Sequence, residues 1–394
     1  MQQQKHFWNM KSITIKDVAR EAGVSTTLVS RVLNAERTED GIPVCAVNRE
    51  TAKRIADTIK AMGYRPNTAA SSLRKKRNNR IGVILPDISH HYFASMARHF
   101  EDLAQAKGYT VLLGSSGNDA QKIEQLALTF VQDNADGIIL VPGINCEQIV
   151  EKIVRERIPL VIAVRNLPSV EGVGKVLTDN KKGTECALDH LTGRGFKKIE
   201  MISTTQRFSN VVEREKLYME YMERKGLEAS ISHCDHTNST ESIAFIIKEC
   251  RRKGTDALYC PNASLPLLCL KTCKALKIRI PEDFALCGYD GGELYTLTSP
   301  SITTVSYSKE EVAAQAFRIL TDMMENGSVQ AGEAIVEPSL AEGESSRSIP
   351  TEAKKPNEKD FHSALDSILN CQQALSTLYH KLTTPDSESG PVDS

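Results

Sequence analysis

The sequence predicts an α/β protein with three parts: an N-terminal helix-turn-helix head, a body with a doubly wound parallel sheet, and a C-terminal helix. Three observations support this fold class. Two short helical patterns are joined through a glycine near the N-terminus, short apolar runs alternate with helical patterns from residue 81 onward, and apolar residues recur every seven positions near the C-terminus. A chain of 394 residues is long enough for several domains.

The helices of the head have recognisable ends. Thr14 is followed three residues later by Asp17, which is the spacing of a capping box, and Gly23 ends this first helix because glycine readily adopts the left-handed conformation. Ser25 is a suitable N-cap for a second helix. A third helix is predicted over residues 48–62. Two helices joined by a tight glycine turn indicate a helix-turn-helix motif.

The outward face of the second helix is polar, and the surrounding residues are basic. The outward residues are Thr26, Thr27, Ser30, Arg31 and Asn34. Such residues near the start of a recognition helix meet base edges in the major groove, and Arg31 is suited to reading guanine. Residues 1–80 hold 16 Lys and Arg against 7 Asp and Glu, whereas the rest of the chain holds 33 against 43. This asymmetry favours a DNA-binding head on an acidic body, and the alternative is a solvated charge excess.

The segment after Pro66 has two interpretations. Residues 67–77 combine small residues with Leu73 and a basic cluster. A short helix on the minor groove would explain this pattern, with Leu73 as a wedge at a base step and the basic residues on phosphates. The alternative is a solvated hinge.

The body alternates strands and helices. Strands are predicted at residues 81–86, 109–114, 136–141, 160–164, 199–203, 257–259 and 284–288, and helices at 93–107, 121–132 and 183–191. This order predicts parallel strands with crossover helices, and such sheets bind ligands outside the carboxyl ends of their strands.

Five polar residues follow strands or open helices in the body. They are Asp290, Arg214, Asn262, Asp179 and Arg165. Forked donors and carboxylates at such points suit a polyhydroxylated ligand, because each hydroxyl needs a partner. The alternative for any one of them is a surface ion pair or a helix cap.

The sequence gives little support to other classes of protein. No run of about 18 apolar residues would span a membrane, and the N-terminus lacks the apolar stretch of a secretory signal, so we expect a cytoplasmic protein. The ten cysteines include no pair with zinc-ribbon or redox spacing. Glycine-rich phosphate loops, nucleophile elbows and metal-spaced His pairs are missing from the sequence, which argues against an enzyme. We therefore expect no metal and no cofactor other than a small-molecule effector.

The C-terminal part predicts an oligomerising helix. Residues 347–360 have the composition of a linker, residues 361–384 that of a helix, and residues 385–394 that of a polar tail. Two heptad positions are occupied by Phe361, Ile368, Leu375 and Leu382, and by Leu365, Gln372 and Tyr379. This pattern is typical of a coiled-coil seam, and the alternative is a helix that packs on its own body.

Several motifs together resemble the lactose-repressor (LacI/GalR) family. They are Thr-Ile-Lys-Asp-Val-Ala-Arg-Glu-Ala-Gly-Val-Ser at 14–25, Val-Ser-Arg-Val-Leu-Asn at 29–34, Gly-Tyr-Arg-Pro-Asn at 63–67 and Ile-Gly-Val-Ile-Leu-Pro-Asp at 81–87. The resemblance covers residues 13–346. It implies a head over residues 1–63, a hinge helix and basic linker over 64–80, and a two-lobed effector-binding body over 81–346 that is similar to periplasmic sugar-binding proteins.

The resemblance also implies roles for particular residues. Base and phosphate contacts fall on Ser25, Thr26, Thr27 and Arg31, a backbone contact on Asn34, and the hinge helix on Asn67, Ala70 and Leu73. The effector clamp falls on Asp290 and Arg214, and Asn262 also matches. The chain is expected to cross between lobes near Val164 and again near Tyr289.

The chain departs from the family pattern at a few positions. Val164 stands where many relatives have Asp before Arg165, Ala263 replaces an acidic residue after Asn262, and Leu217 replaces a glycine after the effector arginine. Residues 39–46 look like an insertion, expected to lie behind the recognition helix. The resemblance implies a transcriptional regulator, a repressor, that binds operator DNA as a homodimer under the control of a sugar or related metabolite. Some relatives pair two dimers through a C-terminal helix. A transport protein without DNA binding and a dehydrogenase are the alternatives.

Overall fold

The computed structural model describes residues 13–33, 35–38, 43–64, 78–234, 240–326 and 332–347. These residues form two units that divide between Asn78 and Asn79. The smaller unit is mainly helical and the larger unit is α/β. None of the described helices is long and apolar enough to cross a lipid bilayer.

The smaller unit contains the three predicted helices. They are α1 (Ile15–Glu21), α2 (Thr26–Leu33) and α3 (Arg49–Met62). The carboxylate of Asp17 accepts a hydrogen bond from the backbone N–H of Thr14, as in a capping box, and a further one from the Thr14 hydroxyl. Gly23 has φ of +63°, so the predicted end of the first helix is confirmed, and Gly63, with the same φ, ends α3 in the same way. Apolar side chains from all three helices form the core of this unit: Val18, Ala19, Ala22, Val29, Val32, Ala52 and Ile55.

One strand of a short two-stranded sheet in this unit belongs to the predicted insertion, and the other precedes it. Strands β1 (Glu36–Arg37) and β2 (Pro43–Val44) pair in the antiparallel direction. Strand β2 contacts both α2 and α3, and Val44 lines a surface depression together with Arg31. The expectation that the insertion lies behind the recognition helix is therefore wrong, because part of it lies beside the outward face of α2.

The larger unit begins with the first lobe of the body. Its sheet has the strand order β13-β7-β6-β5-β3-β4, and all neighbouring strands are parallel. Its strands are β3 (Arg80–Leu85), β4 (Thr110–Ser115), β5 (Gly137–Leu140), β6 (Leu160–Ala163), β7 (Gly174–Thr178) and β13 (Glu333–Val336). Helices α4 (His91–Ala106), α5 (Ala120–Gln132), α6 (Glu147–Arg155) and α11 (Lys309–Asn326) cover the two faces. The central strands are apolar runs because both of their faces are buried.

The second lobe has a sheet of the same design. Its strand order is β14-β12-β11-β10-β8-β9, in which only the described pair β12 and β14 is antiparallel. Its strands are β8 (Ile199–Thr204), β9 (Ser230–Cys234), β10 (Ala257–Tyr259), β11 (Ala285–Tyr289), β12 (Thr303–Tyr307) and β14 (Pro338–Ala341). Its helices are α7 (Asn180–Gly193), α8 (Ser209–Arg224), α9 (Thr240–Lys253) and α10 (Leu265–Ala275). The predicted two-lobed architecture is confirmed.

The crossings between lobes differ from those expected. The chain leaves the first sheet after Thr178, returns after Tyr307 and crosses again at Glu337. The expected crossings near Val164 and Tyr289 are wrong, because β7 and β12 still follow in the same sheets. Both strands contain Lys, Thr or Ser among their apolar residues. They therefore do not form the continuous apolar runs that predicted the other strands.

Substitutions at two glycines of α7 would test how tightly this helix packs on the second sheet. A Cβ atom at Gly183 would overlap the hydroxyl of Tyr289, whereas a Cβ atom at Gly193 meets no atom within 4 Å. We expect Gly183→Ala to lower the free energy of unfolding by about 1–3 kcal/mol through overpacking. Gly193→Ala should raise it by about 0.4–1 kcal/mol. Urea unfolding of both variants measures the difference, and equal effects would contradict the close contact.

Candidate functional site

A cleft of about 220 Å³ lies between the two lobes of the body. It is lined by residues that follow the carboxyl ends of strands in both sheets, which is where doubly wound sheets bind ligands. The first lobe contributes Asp87, His90, Tyr92, Phe93, Asn118, Val164 and Arg165. The second lobe contributes Thr204, Gln206, Phe208, Asn210, Val211, Cys234, Asn262, Ala263, Ser264, Leu265 and Asp290.

Asp290 forms the floor of the cleft through an ion pair with Arg214. Arg214 Nη1 donates to Asp290 Oδ2 at 3.0 Å and to the carbonyl of Pro261 at 2.8 Å, and its Nε donates to Asn180 Oδ1 at 2.9 Å. The guanidinium carbon lies 3.4 Å from the ring centre of Tyr289. These contacts hold the Asp290 carboxylate in one orientation.

The pair is almost fully withdrawn from water. Arg214 has no exposed surface and Asp290 is 8% exposed. Burial raises the pKa of Asp290, and the guanidinium of Arg214 opposes that shift. Asp290 also has φ of +63°, a conformation that is uncommon outside glycine and typical of functional sites.

Arg165 lies at the opposite side of the cleft, in the first lobe. Its Nη1 donates to Asn118 Oδ1 at 2.7 Å and to the carbonyl of Pro142 at 2.8 Å. Its guanidinium carbon lies 3.8 Å from the ring centre of Phe208, which belongs to the second lobe. Burial lowers the pKa of Arg165 to about 10, so the side chain stays charged at neutral pH.

His90 makes a second contact across the cleft. It precedes α4 in the first lobe, and its Nε2 lies 2.9 Å from the Ser264 hydroxyl of the second lobe. Burial lowers the pKa of His90, which keeps the imidazole neutral near pH 7. An aromatic contact to Arg165 and a hydrogen bond to His90 therefore both join the two lobes.

Several buried polar atoms at the cleft have no hydrogen-bond partner within the described protein. They are His90 Nδ1, Asn210 Oδ1 and Asp290 Oδ1. Buried polar groups are normally paired, because an unpaired one costs about 1–3 kcal/mol. Two acceptors and one imidazole nitrogen can therefore bind the hydroxyl groups of a small ligand.

The five predicted cleft residues have different positions in the structure. Asp290, Asn262 and Arg165 line the cleft, while Arg214 lies behind Asp290. Asn262 Oδ1 accepts from the backbone N–H groups of Ser264 and Leu265. Asp179 is not among the lining residues, and its carboxylate caps α7 by accepting from Lys182 N at 2.8 Å. The alternative of a helix cap therefore describes Asp179.

Sequence reasoning missed several lining residues. Asn118 follows β4, and Phe208 and Asn210 open α8, so the rule of strand ends applied to every strand would have found them. His90 opens α4 in the same way. The aromatic contact of Phe208 with Arg165 has no sequence signal, because it joins residues of different lobes.

The DNA-reading candidates lie on α2 and at its N-terminus. Ser25, Thr26, Thr27 and Arg31 are exposed, and Ser30 is half-buried. Asn34, Asn67, Ala70 and Leu73 lie outside the described residues. The predicted oligomerisation residues Phe361, Leu365, Ile368, Leu375, Tyr379 and Leu382 also lie outside them.

Comparison with known proteins agrees with both units. Residues 14–67 match the family described as bacterial regulatory proteins, lacI family, and residues 188–346 match a periplasmic binding protein-like domain. Catabolite control protein A of Priestia megaterium is 30% identical over 324 residues, which cover 81% of this chain and 94% of that protein. The ribose operon repressor of Halalkalibacterium halodurans is 28% identical over 313 residues, covering 79% and 90%.

Solved structures agree with the fold. A periplasmic binding protein/LacI transcriptional regulator from Alkaliphilus metalliredigens, complexed with D-xylulofuranose, is 25% identical with a TM-score of 0.61 and covers 68% of this chain and all of that one. The lac repressor dimer bound to operator and an anti-inducer is 19% identical with a TM-score of 0.73 and covers 85% of this chain and 99% of that one. At this identity the second likeness concerns the fold alone.

A helix-turn-helix head and a two-lobed ligand-binding body define a transcriptional regulator controlled by a small molecule. The chain belongs to the lacI family of bacterial regulatory proteins.

The lowered pKa of His90 predicts a pH dependence. His90 binds a proton more readily when the chain is unfolded and the side chain is exposed. The free energy of unfolding is therefore not reduced by His90 above about pH 6.5, and it decreases as the pH falls from there through the lowered pKa of the folded protein. Asp87 and Asp290 oppose this shift, and His91 adds to it. We expect the free energy of unfolding to fall between pH 7.5 and 5.5 in urea titrations, and His90→Gln to reduce that fall.

His190 provides the matched control for this prediction. Its pKa is also lowered by burial, but it lies within the second lobe beside Ser346. His190→Gln should therefore leave the His90 contribution in place, and the double variant should lose both. An unchanged pH dependence in His90→Gln would contradict the assignment.

Proposed function

We propose that this regulator is a repressor that binds operator DNA through α2 and releases or gains operator when a polyhydroxylated small molecule occupies the cleft. The observation that carries the proposal is the set of unpaired buried atoms on His90, Asn210 and Asp290 at a cleft between two lobes. A catalytic role has no support in this arrangement, and the relatives are transcription regulators.

The unpaired buried atoms at the cleft also indicate the chemical class of the effector. Unpaired carboxylate and amide oxygens accept from hydroxyl groups, and the aromatic rings of Phe93 and Phe208 offer apolar surface beside them. The named ligand of one relative is D-xylulofuranose, and another relative is called a ribose operon repressor. A sugar or a close derivative fits both the atoms and these relatives.

The cross-lobe contacts suggest how binding changes the body. The phenol groups of Tyr92 and Tyr307 contact each other beside the cleft, and Tyr307 ends the strand after which the chain crosses between lobes. Together with the contacts of Arg165 and His90, this pair makes the relative position of the lobes sensitive to what lies between them. A ligand that binds one lobe position more tightly shifts the population toward it.

The experiment for the regulatory proposal measures operator affinity by fluorescence anisotropy while D-ribose, D-glucose and their derivatives are titrated. The proposal expects one member of the series to change the operator Kd by at least about fivefold, the lower range of allosteric coupling. Asp290→Asn, which keeps an acceptor for Arg214, should lose that response. A response that Asp290→Asn leaves intact would move the effector to another site.

The exposed face of α2 gives a prediction for DNA recognition. Arg31 is exposed on α2, and we propose that it donates to the O6 and N7 atoms of guanine. Arg31→Ala should weaken operator binding by about 1–3 kcal/mol per half-site while affecting random DNA less. Arg54→Ala removes the same charge from the exposed surface of α3 and serves as control. Equal losses on operator and random DNA in Arg31→Ala would contradict base reading.

The oligomeric state is a separate proposal. We propose that the body and head form a homodimer and that residues 361–384 pair two dimers, because the heptad pattern has no function in a complete dimer. The hydrogen bonds of Ser345 and Ser346 show which residues a truncated chain must keep to retain its packing. Ser345 donates to the carbonyl of Leu286 at 2.5 Å, and Ser346 lies 2.5 Å from the hydroxyl of Thr303.

A chain that ends after Arg347 should keep its fold and sediment with half the mass of the full chain in analytical ultracentrifugation. It should bind one operator and lose the ability to hold two operators on one DNA molecule. A chain that ends at Gly343 should instead be less stable, because it loses the buried contacts of Ser345 and Ser346. A full-length protein that is already dimeric at micromolar concentration would contradict the pairing of dimers.

A further inference from the structure

Arg165 is a buried cation that forms no ion pair within the described part of the chain. Its side chain is 8% exposed, and its hydrogen bonds go to the neutral oxygens of Asn118 and Pro142. Within the part of the chain that the structure describes, no carboxylate pairs with it, whereas Arg214 pairs with Asp290. Buried charges are normally paired, because taking an ion out of water is costly.

The only other carboxylate among the described cleft residues does not offset this charge. Asp87 is exposed, and its Oδ1 accepts from the backbone N–H and the hydroxyl of Ser89. Lys309 is a half-buried cation near Asp290, and burial lowers its pKa. Among the described buried groups near the cleft, Asp290 pairs with Arg214 and Glu215 pairs with Arg207, whereas Arg165 forms no ion pair.

Two helix N-termini add to the positive potential around Arg165. Phe208 is the N-cap of α8 and contacts the Arg165 guanidinium, and Phe93, in the first turn of α4, has its ring centre 5.8 Å from the guanidinium carbon. Neither helix has a side-chain cap or an acidic residue in its first turn. Unpaired N–H groups and the helix dipole favour an anion at such ends.

We propose that the effector is an anionic polyhydroxylated molecule whose carboxylate or phosphate binds Arg165 between the N-termini of α4 and α8. This inference rests on the proposed function, because it assigns the chemistry of the same effector. Arg165 Nη1 is held by Asn118 and Pro142, and the donors on Nε and Nη2 bind the oxyanion. The hydroxyl groups of the ligand bind Asp290 and Asn210 on the second lobe, so that the ligand bridges both lobes.

The anion site can be tested before the natural effector is identified. The full chain is melted in sodium phosphate, sodium acetate and sodium chloride at equal ionic strength, and the readout is the difference in Tm between the oxyanion and chloride. Wild type should gain more from phosphate or acetate than Arg165→Gln does. Arg98→Gln removes an exposed charge from α4 and should behave as wild type, which controls for the general stabilising effect of phosphate. Equal gains in wild type and Arg165→Gln overturn the proposal.

Matched ligand pairs then test the effector class by calorimetry. D-Glucose is compared with D-glucose 6-phosphate and D-gluconate, and D-ribose with D-ribose 5-phosphate. A phosphate or carboxylate member should bind about 10- to 100-fold more tightly than its neutral counterpart, and Arg165→Gln should remove most of that ratio. Arg165→Lys keeps the charge without the forked donors and should retain part of it, which separates a binding role from a loss of folding. The phosphate and carboxylate members distinguish the two kinds of anion.

The outcomes separate this inference from the regulatory proposal. If a neutral sugar binds as tightly as its anionic derivatives and changes operator affinity, the anion site is wrong and the regulatory proposal stands. If an anionic ligand binds through Arg165 and leaves operator affinity unchanged, the anion site stands and the regulatory proposal fails.

Discussion

The buried ion pair of Arg214 and Asp290 connects the elements that form the floor of the cleft. Asp290 ends β11, Arg214 belongs to α8, and the remaining hydrogen bonds of Arg214 reach Asn180 at the start of α7 and the carbonyl of Pro261 after β10. An ion pair without access to water stabilises a fold only when its hydrogen bonds are well made, and removing one partner costs about 3–5 kcal/mol. These bonds therefore join four elements of the second lobe at the floor of the cleft.

The proposed response to a ligand involves the connections between the lobes. The chain crosses between lobes at Thr178, Tyr307 and Glu337, and short connections of this kind are where hinged lobes move relative to each other. Contacts across the cleft among the described residues include a hydrogen bond of His90, an aromatic contact of Arg165 and the pair of Tyr92 with Tyr307. A ligand that binds one position of the lobes more tightly than another would shift the population of the body toward that position.

The sequence was sufficient for the elements whose signals are local. Capping residues such as Thr14 and left-handed glycines such as Gly63 mark helix ends, and fully buried strands such as β5 and β6 are continuous apolar runs. Strands β7 and β12 mix polar with apolar residues, so their signal was too weak and the crossings were misplaced. For the cleft, the rule of strand ends found Asp290, Asn262 and Arg165. It could not tell that Asp179 caps a helix or that Arg214 lies behind Asp290, because burial and pairing depend on contacts distant in sequence.

Val164, the residue before Arg165 in the sequence, affects the balance of charges in the cleft. Val164 is buried with φ of +69°, a strained conformation for a β-branched side chain. The resemblance to the lacI family implies Asp at that position, where a carboxylate would lie next to the arginine in the chain. Valine supplies no negative charge, so among the described residues the close contacts of the Arg165 guanidinium come from the rings of Phe208 and Phe93 and from neutral oxygens, and Asp290 attracts it from beyond ion-pair distance. Cation–π contacts contribute about 0.5–2 kcal/mol, less than the several kcal/mol that burial of an unpaired ion costs. The difference favours a ligand that brings the missing negative charge into the cleft.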